Sequence, residues 1–138
     1  MVAPVFILDS SALIRFFDNE PGAERVQQVL AACADGVAKV RVSAVQWGEI
    51  TGNLRKRFGA QEQERVLGGG LPSELQIVAA TAERAVRAAA LRVDRGLGYA
   101  DAFAVELAES IPQSTLLTAD YGFKSAEDLI RIEFLPSK

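Results

Sequence analysis

Residues 4–14 constrain the fold of this chain more than any other part of its sequence. Four large apolar residues at positions 5–8 follow a proline and end at Asp9. Such an uninterrupted apolar run is typical of a strand buried on both faces, as in a parallel sheet. Apolar residues resume at helical spacing after Ser10 and Ser11, and either serine is a candidate N-cap. Asp9 is therefore predicted at the carboxyl end of a first strand, where open α/β sheets bind their ligands.

Strand and helix patterns alternate along the rest of the chain. The further predicted strands are residues 39–43, 75–78, 115–118 and 129–134. The further predicted helices are residues 21–34, 44–58, 61–67, 82–95 and 99–110. This alternation predicts a three-layer α/β/α architecture with a mainly parallel sheet of about four to five strands. A length of 138 residues fits one domain, so we expect a single domain over residues 1–138.

Several helix ends and helix faces are also predicted. Pro21 suits the first position of the second helix, and Ser43 is a candidate cap for the helix that follows it. Apolar residues at helical spacing indicate the buried faces. The expected buried residues are Leu13, Ile14, Phe16 and Phe17 in the first helix, Trp47, Ile50, Leu54 and Phe58 in helix 44–58, and Ala82, Val86, Ala89 and Val93 in helix 82–95.

The composition limits the chemistry that the chain can perform. The sequence contains no histidine, which excludes serine–histidine and cysteine–histidine catalysis, histidine-bound zinc and a histidine acid/base pair for cleaving RNA. An enzyme of this composition must use carboxylates, hydroxyls, lysine or a metal. The formal net charge of −3 counts against a purely electrostatic nucleic-acid binder. It does not count against an enzyme that reaches phosphates through a bound metal.

The sequence also gives an expectation about location. The single cysteine, Cys33, cannot form an internal disulfide, so a reducing cytoplasm is the default. Asp9 interrupts the N-terminal apolar run, which has no basic region before it, so we expect no signal peptide. Apolar runs in the chain are too short to cross a bilayer. We therefore expect a cytoplasmic protein with no membrane partner.

Four acidic residues are the candidates for chemistry. Asp9 follows the first predicted strand, Glu49 lies in the helix after the second, Asp120 follows the strand at 115–118, and Asp101 opens the helix before that strand. Because the carboxyl ends of parallel strands share one edge, Asp9, Glu49 and Asp120 should converge on one cleft. Such a cluster suits Mg²⁺ or Mn²⁺ and metal-assisted phosphodiester hydrolysis. Each acid also has a structural interpretation, as a helix cap or, for Glu49, as a solvated helix residue.

Four blocks of sequence resemble the PIN domain, and more narrowly the VapC-type toxin ribonucleases of type II toxin–antitoxin pairs. The blocks are residues 6–13, 42–50, 98–102 and 117–123. Position by position, Asp9, Glu49, Asp101 and Asp120 match the family's metal-site acids, and Ser10 or Ser11 and Thr118 match the hydroxyl residues beside them. The resemblance implies Mg²⁺- or Mn²⁺-dependent endonucleolytic cleavage of RNA by a metal-activated water. It also implies a homodimer and a VapB-like antitoxin that masks the site.

One position departs from the family pattern. Many relatives have a further acid two positions after the one matched by Asp120, and here that position is Gly122. The number of metals at the site is therefore left open.

Five cations are candidate RNA contacts. They are Arg15, Arg55, Lys56, Arg57 and Lys124, and each has the alternative interpretation of a solvated charge or local ion pair. Trp47 has the residue type that stacks on bases, but its place on an apolar stripe favours packing.

Two other functions are alternatives to the ribonuclease. One is a phosphatase or phosphotransferase with Asp9 as nucleophile, which is disfavoured because such sites usually have a second aspartate where this chain has Ser11. The other is a non-catalytic interaction module with the same fold. The presence of all four acids argues against that module. Gly122, which stands where many relatives have a further acid, leaves the module open as an alternative.

Overall fold

The computed structural model describes residues 2–138, in which five strands form one sheet with all neighbours parallel. The spatial order is β3-β2-β1-β4-β5. The strands are β1 (Val5–Leu8), β2 (Lys39–Ser43), β3 (Gln76–Val78), β4 (Thr115–Thr118) and β5 (Arg131–Phe134). The α-helices are α1 (Ser10–Phe17), α2 (Ala23–Ala34), α3 (Ala44–Phe58), α4 (Ala60–Arg65), α5 (Ala82–Arg95) and α6 (Tyr99–Ser110). The predicted parallel α/β fold is confirmed.

Helices cover both faces of the sheet. Successive strand side chains point to opposite faces, so Leu8 and Leu117 pack with α1, α2 and α3 on one side. Ile7 and Leu116 pack with α5 and α6 on the other side. All four side chains have no exposed surface, as expected for central strands of a sheet covered on both faces. The three-layer arrangement follows from this alternation.

The strand order reverses direction at β1, which lies between β2 and β4. Ile7 is in register with Arg41 of β2 and with Leu116 of β4. The carboxyl ends of β1 and β4 therefore border a topological switch point, the usual ligand position in open parallel sheets. Asp9 follows β1 directly, and Thr118 is the last residue of β4.

The cap of α1 is the one given by the structural interpretation of Asp9, and the prediction of a serine cap is wrong. Asp9, and not Ser10 or Ser11, is the N-cap, and its carboxylate accepts a hydrogen bond of 3.0 Å from the backbone N–H of Ala12. The strand passes into the helix without an intervening turn, so the first polar residue reaches the free N–H groups. Both serines lie inside the first turn of α1.

The start of α2 also differs. Gly22 is the N-cap and has a left-handed conformation with φ of 94°, so Pro21 precedes the helix instead of opening it. A Cβ atom at Gly22 would lie 2.9 Å from the Cβ of Leu135. The close approach of the C-terminal segment requires glycine there, and this contact is invisible in the local sequence.

Three element boundaries shift by a few residues. The helix predicted over 61–67 is α4, which ends at Arg65 and continues into a π-turn over Val66–Gly70. The strand predicted over 75–78 begins at Gln76. The strand predicted over 129–134 begins at Arg131, because the N–H groups of Leu129 and Ile130 donate to the carbonyl of Ala126 in a turn.

The predicted face of α5 is wrong. Val86 and Val93 are 72% and 81% exposed, and Ala82 and Ala89 are exposed as well. Ala88 is buried instead, with Ala85 and Leu91 packed beside it. An alanine-rich helix has more than one face with apolar residues at helical spacing, and ion pairs with α6 decide between them.

The predicted faces of α1 and α3 hold in part. Leu13, Ile50 and Leu54 are buried, whereas Phe58 is 54% exposed. Four further predicted residues are partly buried against the same core: Ile14, Phe16, Phe17 and Trp47.

No helix within residues 2–138 combines the length and the apolarity needed to cross a membrane.

Candidate active site

Asp9 is the most buried of the four acids, with 1% of its surface exposed. Burial raises the pKa of its carboxyl to about 6, and the nearby Asp101 charge contributes to the increase. Hydrogen bonds from the Ala12 N–H, the Thr118 hydroxyl and the Ser11 hydroxyl oppose the increase. A carboxylate at this position is costly for the fold, which is characteristic of functional sites.

Two hydroxyl groups join the ends of β1 and β4 around Asp9. The Thr118 hydroxyl donates to Asp9 Oδ2 at 2.7 Å, and the Ser11 hydroxyl lies 2.8 Å and 2.9 Å from the two carboxylate oxygens. Ser11 Oγ accepts from the N–H of Ala119 at 2.9 Å, and Thr118 Oγ1 accepts from the N–H of Asp120 at 3.0 Å. Ser11 and Thr118 thus hold Asp9 and the Asp120 backbone in fixed relation.

Asp101 opens α6 and lies half-buried. Burial is the main cause that raises the pKa of its carboxyl, and the charges of Asp120 and Glu49 add to it. A hydrogen bond from the Gln46 amide opposes this increase. The charge of Asp101 in turn adds to the raised pKa of Asp9.

Glu49 and Asp120 are exposed. The Ser10 hydroxyl lies 3.3 Å from Glu49 Oε1, a long hydrogen bond between α1 and α3. Asp120 Oδ1 accepts from the N–H of Gly122 at 2.8 Å and caps the 3₁₀ helix Tyr121–Ala126. A Cβ at Gly122 would lie 3.0 Å from the same oxygen. The residue that departs from the family pattern thus packs directly against Asp120.

Four carboxylates make up the acid site: those of Asp9, Glu49, Asp101 and Asp120. Within residues 2–138, no three aspartate, glutamate or cysteine side chains are arranged as a preassembled metal site. Asp9 and Asp120 each direct a carboxylate oxygen at a backbone N–H group, that of Ala12 and that of Gly122. Neighbouring acidic charges add to the raised pKa of Asp9 and Asp101, but the four acids do not form a closed coordination shell.

Arg15 is not available as an RNA contact. Only 8% of its surface is exposed, and its Nη1 donates to the carbonyls of Pro21 and Pro136, each at 2.7 Å. The side chain ties the C-terminal segment to the turn between α1 and α2, so this prediction is corrected: Arg15 is structural. Its sequence context, an arginine in a short amphipathic helix, gives no sign of the distant Pro136 carbonyl.

The other candidate cations are exposed. Arg57 pairs with Asp18 at 2.9 Å, and Arg55 donates to Gln63 at 2.8 Å. Lys124 Nζ lies 5.5 Å from the centre of the ring of Tyr121, the residue that follows Asp120. Lys56 is exposed at the end of α3. Trp47 packs against the core, as its apolar stripe predicted.

Gln46 is a site neighbour that sequence reasoning did not single out. Its side chain is fully buried and contacts both Ser10 and Asp101. A signal was present: Gln46 lies three residues before Glu49, which places the two on the same face of α3. A polar residue on that face pointed to the site.

The chain is similar to proteins of known fold. A family model described as PIN domain matches residues 6–129. No curated protein sequence matches the chain. Solved structures that share the fold include VapBC2 from Rickettsia felis bound to a promoter DNA fragment, with 19% identity, a TM-score of 0.72 and coverage of 96% of this chain and 99% of that one.

Two further structures show the same likeness. A toxin–antitoxin complex from Klebsiella pneumoniae has 21% identity, a TM-score of 0.68 and coverage of 96% and 98% of the two chains. VapC20 from Mycobacterium tuberculosis, a toxin that cleaves the sarcin–ricin loop, has 17% identity, a TM-score of 0.70 and coverage of 88% and 94%. At these identities the likeness concerns the fold.

Proposed function

Because the chain belongs to the PIN domain family, we propose that it is a metal-dependent endoribonuclease and the toxin of a type II toxin–antitoxin pair. One observation carries the proposal. A buried carboxylate, Asp9, lies at the switch point of the sheet with its pKa raised to about 6, and Asp101 is close enough to contribute to that increase. Ionised carboxylates held in this way suit a cation-dependent reaction.

The residues fit a hard divalent cation. All four members of the acid site supply carboxylate oxygens, and three hydroxyl residues lie beside them: Ser10, Ser11 and Thr118. Mg²⁺ and Mn²⁺ prefer such oxygen ligands, and a cation would offset both the burial and the neighbouring acidic charges that raise the pKa of Asp101. We propose that Asp9, Glu49, Asp101 and Asp120 hold the metal. When bound, it would activate a water and offset charge on the phosphate.

The chain's own residues would prepare the site. Ser11 and Thr118 fix the orientation of the Asp9 carboxylate, since both hydroxyls contact its oxygens. Exposed Glu49 and Asp120 leave the acid site open to a large substrate such as RNA. Lys56, Arg55, Arg57 and Lys124 are proposed phosphate contacts.

The chemistry of the cleaved ends tests the reaction type. Without histidine the chain lacks the usual acid/base pair that makes the RNA 2′-hydroxyl attack its own phosphate. We therefore expect hydrolysis by water, which leaves no 2′,3′-cyclic phosphate. An RNA with a single 2′-deoxy nucleotide at the cleaved position should still be cut. Loss of cutting at that nucleotide, or cyclic phosphate ends, would contradict the mechanism.

A protein partner is also proposed. The similar structures from Rickettsia felis and Klebsiella pneumoniae are toxin–antitoxin complexes, which supports a VapB-like antitoxin here. Phe17, Leu54 and Phe58 line a surface cavity of about 370 Å³ beside α4, which offers apolar contacts to such a chain. A homodimer in the cytoplasm completes the proposal. A monomeric mass for the antitoxin-free protein at micromolar concentration would contradict the dimer.

A non-catalytic interaction module is the second candidate. It is favoured by the lack of a preassembled group of three acids within residues 2–138. Binding of Mn²⁺ separates the two candidates, because the module needs no metal. The phosphatase alternative is disfavoured further, since Asp9 is 1% exposed and its oxygens bond to Ala12, Ser11 and Thr118.

A further inference from the structure

Gln46 is polar and fully buried, and the chemistry proposed above does not use it. It lies in the first turn of α3. Its Oε1 accepts from the backbone N–H of Ser10 at 2.7 Å. Its Nε2 lies 2.9 Å from the carbonyl oxygen of Ala100 and 3.3 Å from Oδ1 of Asp101. One side chain of α3 therefore bonds to the start of α1 and to the start of α6.

The orientation of the Gln46 amide follows from its partners. A backbone N–H can only donate and a carbonyl can only accept, so the oxygen must face Ser10 and the nitrogen must face Ala100. The Ser10 N–H belongs to the first turn of α1 and has no acceptor within its own helix. The Ser10 N–H is partly buried, and leaving it without a partner is costly, so this bond matters to the local structure.

Gln46 contacts or neighbours three of the four acids. Ser10 follows Asp9 directly, Asp101 accepts from the amide, and Glu49 lies one helical turn further along α3. α6 carries Asp101 in its first turn, so the distance between α6 and α3 sets where that carboxylate lies. The bond to the Ala100 carbonyl fixes this distance at the backbone.

We propose that Gln46 is a positioning residue that holds Asp101 against the end of β1 and thereby sets the affinity of the acid site for a divalent cation. The effect on metal affinity rests on the proposed function. The bridge between α1 and α6 rests on the hydrogen bonds alone. Residues that orient metal ligands in this way affect metal affinity about 10–100-fold when replaced.

The test compares two buried polar residues of α3. Gln46→Met keeps an unbranched side chain but removes both the acceptor and the donors. Thr51→Val is the matched control, because Thr51 is also buried but bonds only to carbonyls of its own helix, those of Trp47 and Gly48. Two readouts are needed: amide hydrogen exchange at Ser10 in metal-free protein, and Mn²⁺ affinity by calorimetry.

The expected result has three parts. The amide hydrogen of Ser10 exchanges faster in Gln46→Met than in the wild type, whereas in Thr51→Val its exchange rate is unchanged. Gln46→Met binds Mn²⁺ about 10-fold or more weakly, while Thr51→Val binds as the wild type does. In an Asp101→Asn background, Gln46→Met causes no further loss of affinity, because it acts through Asp101.

Each failure has its own meaning. Unchanged exchange at Ser10 in Gln46→Met overturns the bridge, whatever the function. If Gln46→Met weakens Mn²⁺ binding equally in the wild-type and the Asp101→Asn backgrounds, Gln46 does not act through Asp101. Wild-type protein that binds no Mn²⁺ overturns the proposed function and the effect on metal affinity with it. If Gln46→Met does not fold, Gln46→Asn replaces it, since it keeps the amide but is too short to reach both helices.

Discussion

At the scale of one residue, Asp9 opposes the stability of the fold. Its carboxylate is buried at the end of a fully apolar strand, and the three groups that donate to it do not offset the loss of solvation, so its pKa is raised to about 6. A native pKa above the ordinary value of 3.8 means that the folded state holds this proton more tightly than the unfolded chain. The ionised Asp9 therefore destabilises the fold.

Asp9→Asn should stabilise the metal-free protein at pH 7 by about 1–3 kcal/mol, because it removes a buried charge and keeps the cap of α1. The free energy of unfolding of the wild type falls as pH rises from about 4 to about 6, because the folded protein holds the Asp9 proton more tightly than the unfolded chain. The difference in stability between the two proteins should therefore vanish below about pH 4. Urea unfolding at both pH values, with EDTA present, measures it. A difference that does not change with pH would contradict the effect.

Asp120→Asn is the matched control for this measurement. Asp120 is exposed, and its replacement can still accept from the N–H of Gly122. We expect a change within about 0.5 kcal/mol at either pH.

At the scale of elements, Glu106 determines how α5 packs. It is 2% exposed in α6, and its carboxylate pairs with Arg84 at 2.8 Å and with Arg87 at 3.0 Å. These pairs require Arg84 and Arg87 to face α6, so Ala88 is buried and the valines of α5 point outward. A buried charge with two partners thus decides between the two apolar faces of α5.

Glu106→Gln should lower the free energy of unfolding by about 1–3 kcal/mol, because it leaves two arginines without their carboxylate. Arg87→Gln should cost less than about 1 kcal/mol, because Arg87 is 54% exposed and Arg84 remains to pair with Glu106. Denaturant unfolding of both variants provides the comparison. Equal losses would show that Glu106 does not organise this contact.

Local signals were sufficient for most elements. Ser43 caps α3 as predicted, and the bounds of α3, α5, α6, β2 and β4 match, since each has strong periodicity between clear breaks. The face of α5 and the start of α2 were missed because they depend on Glu106 and Leu135, which are distant in sequence. Within the site, the placement of Asp9 followed from its strand, whereas the bridge through Gln46 depends on two helices packing together.

At the scale of the molecule, a bound metal should raise the free energy of unfolding that the acid site lowers. A cation that binds only the folded protein stabilises it, by about 2.7 kcal/mol at a concentration 100 times its Kd. Thermal unfolding of the wild type should therefore shift to higher temperature with Mn²⁺, and Asp101→Asn should shift less. The same shift in both proteins would place the cation elsewhere.

The most direct measurement is cleavage of end-labelled total RNA by antitoxin-free protein, wild type beside Asp9→Asn, with Mg²⁺, Mn²⁺ or EDTA. The account predicts discrete products from the wild type with metal and none with EDTA. Asp9→Asn should produce none under any condition, although without metal it is the more stable protein, which separates loss of chemistry from loss of fold. Cleavage by Asp9→Asn at the wild-type rate, or cleavage in EDTA, would contradict the account.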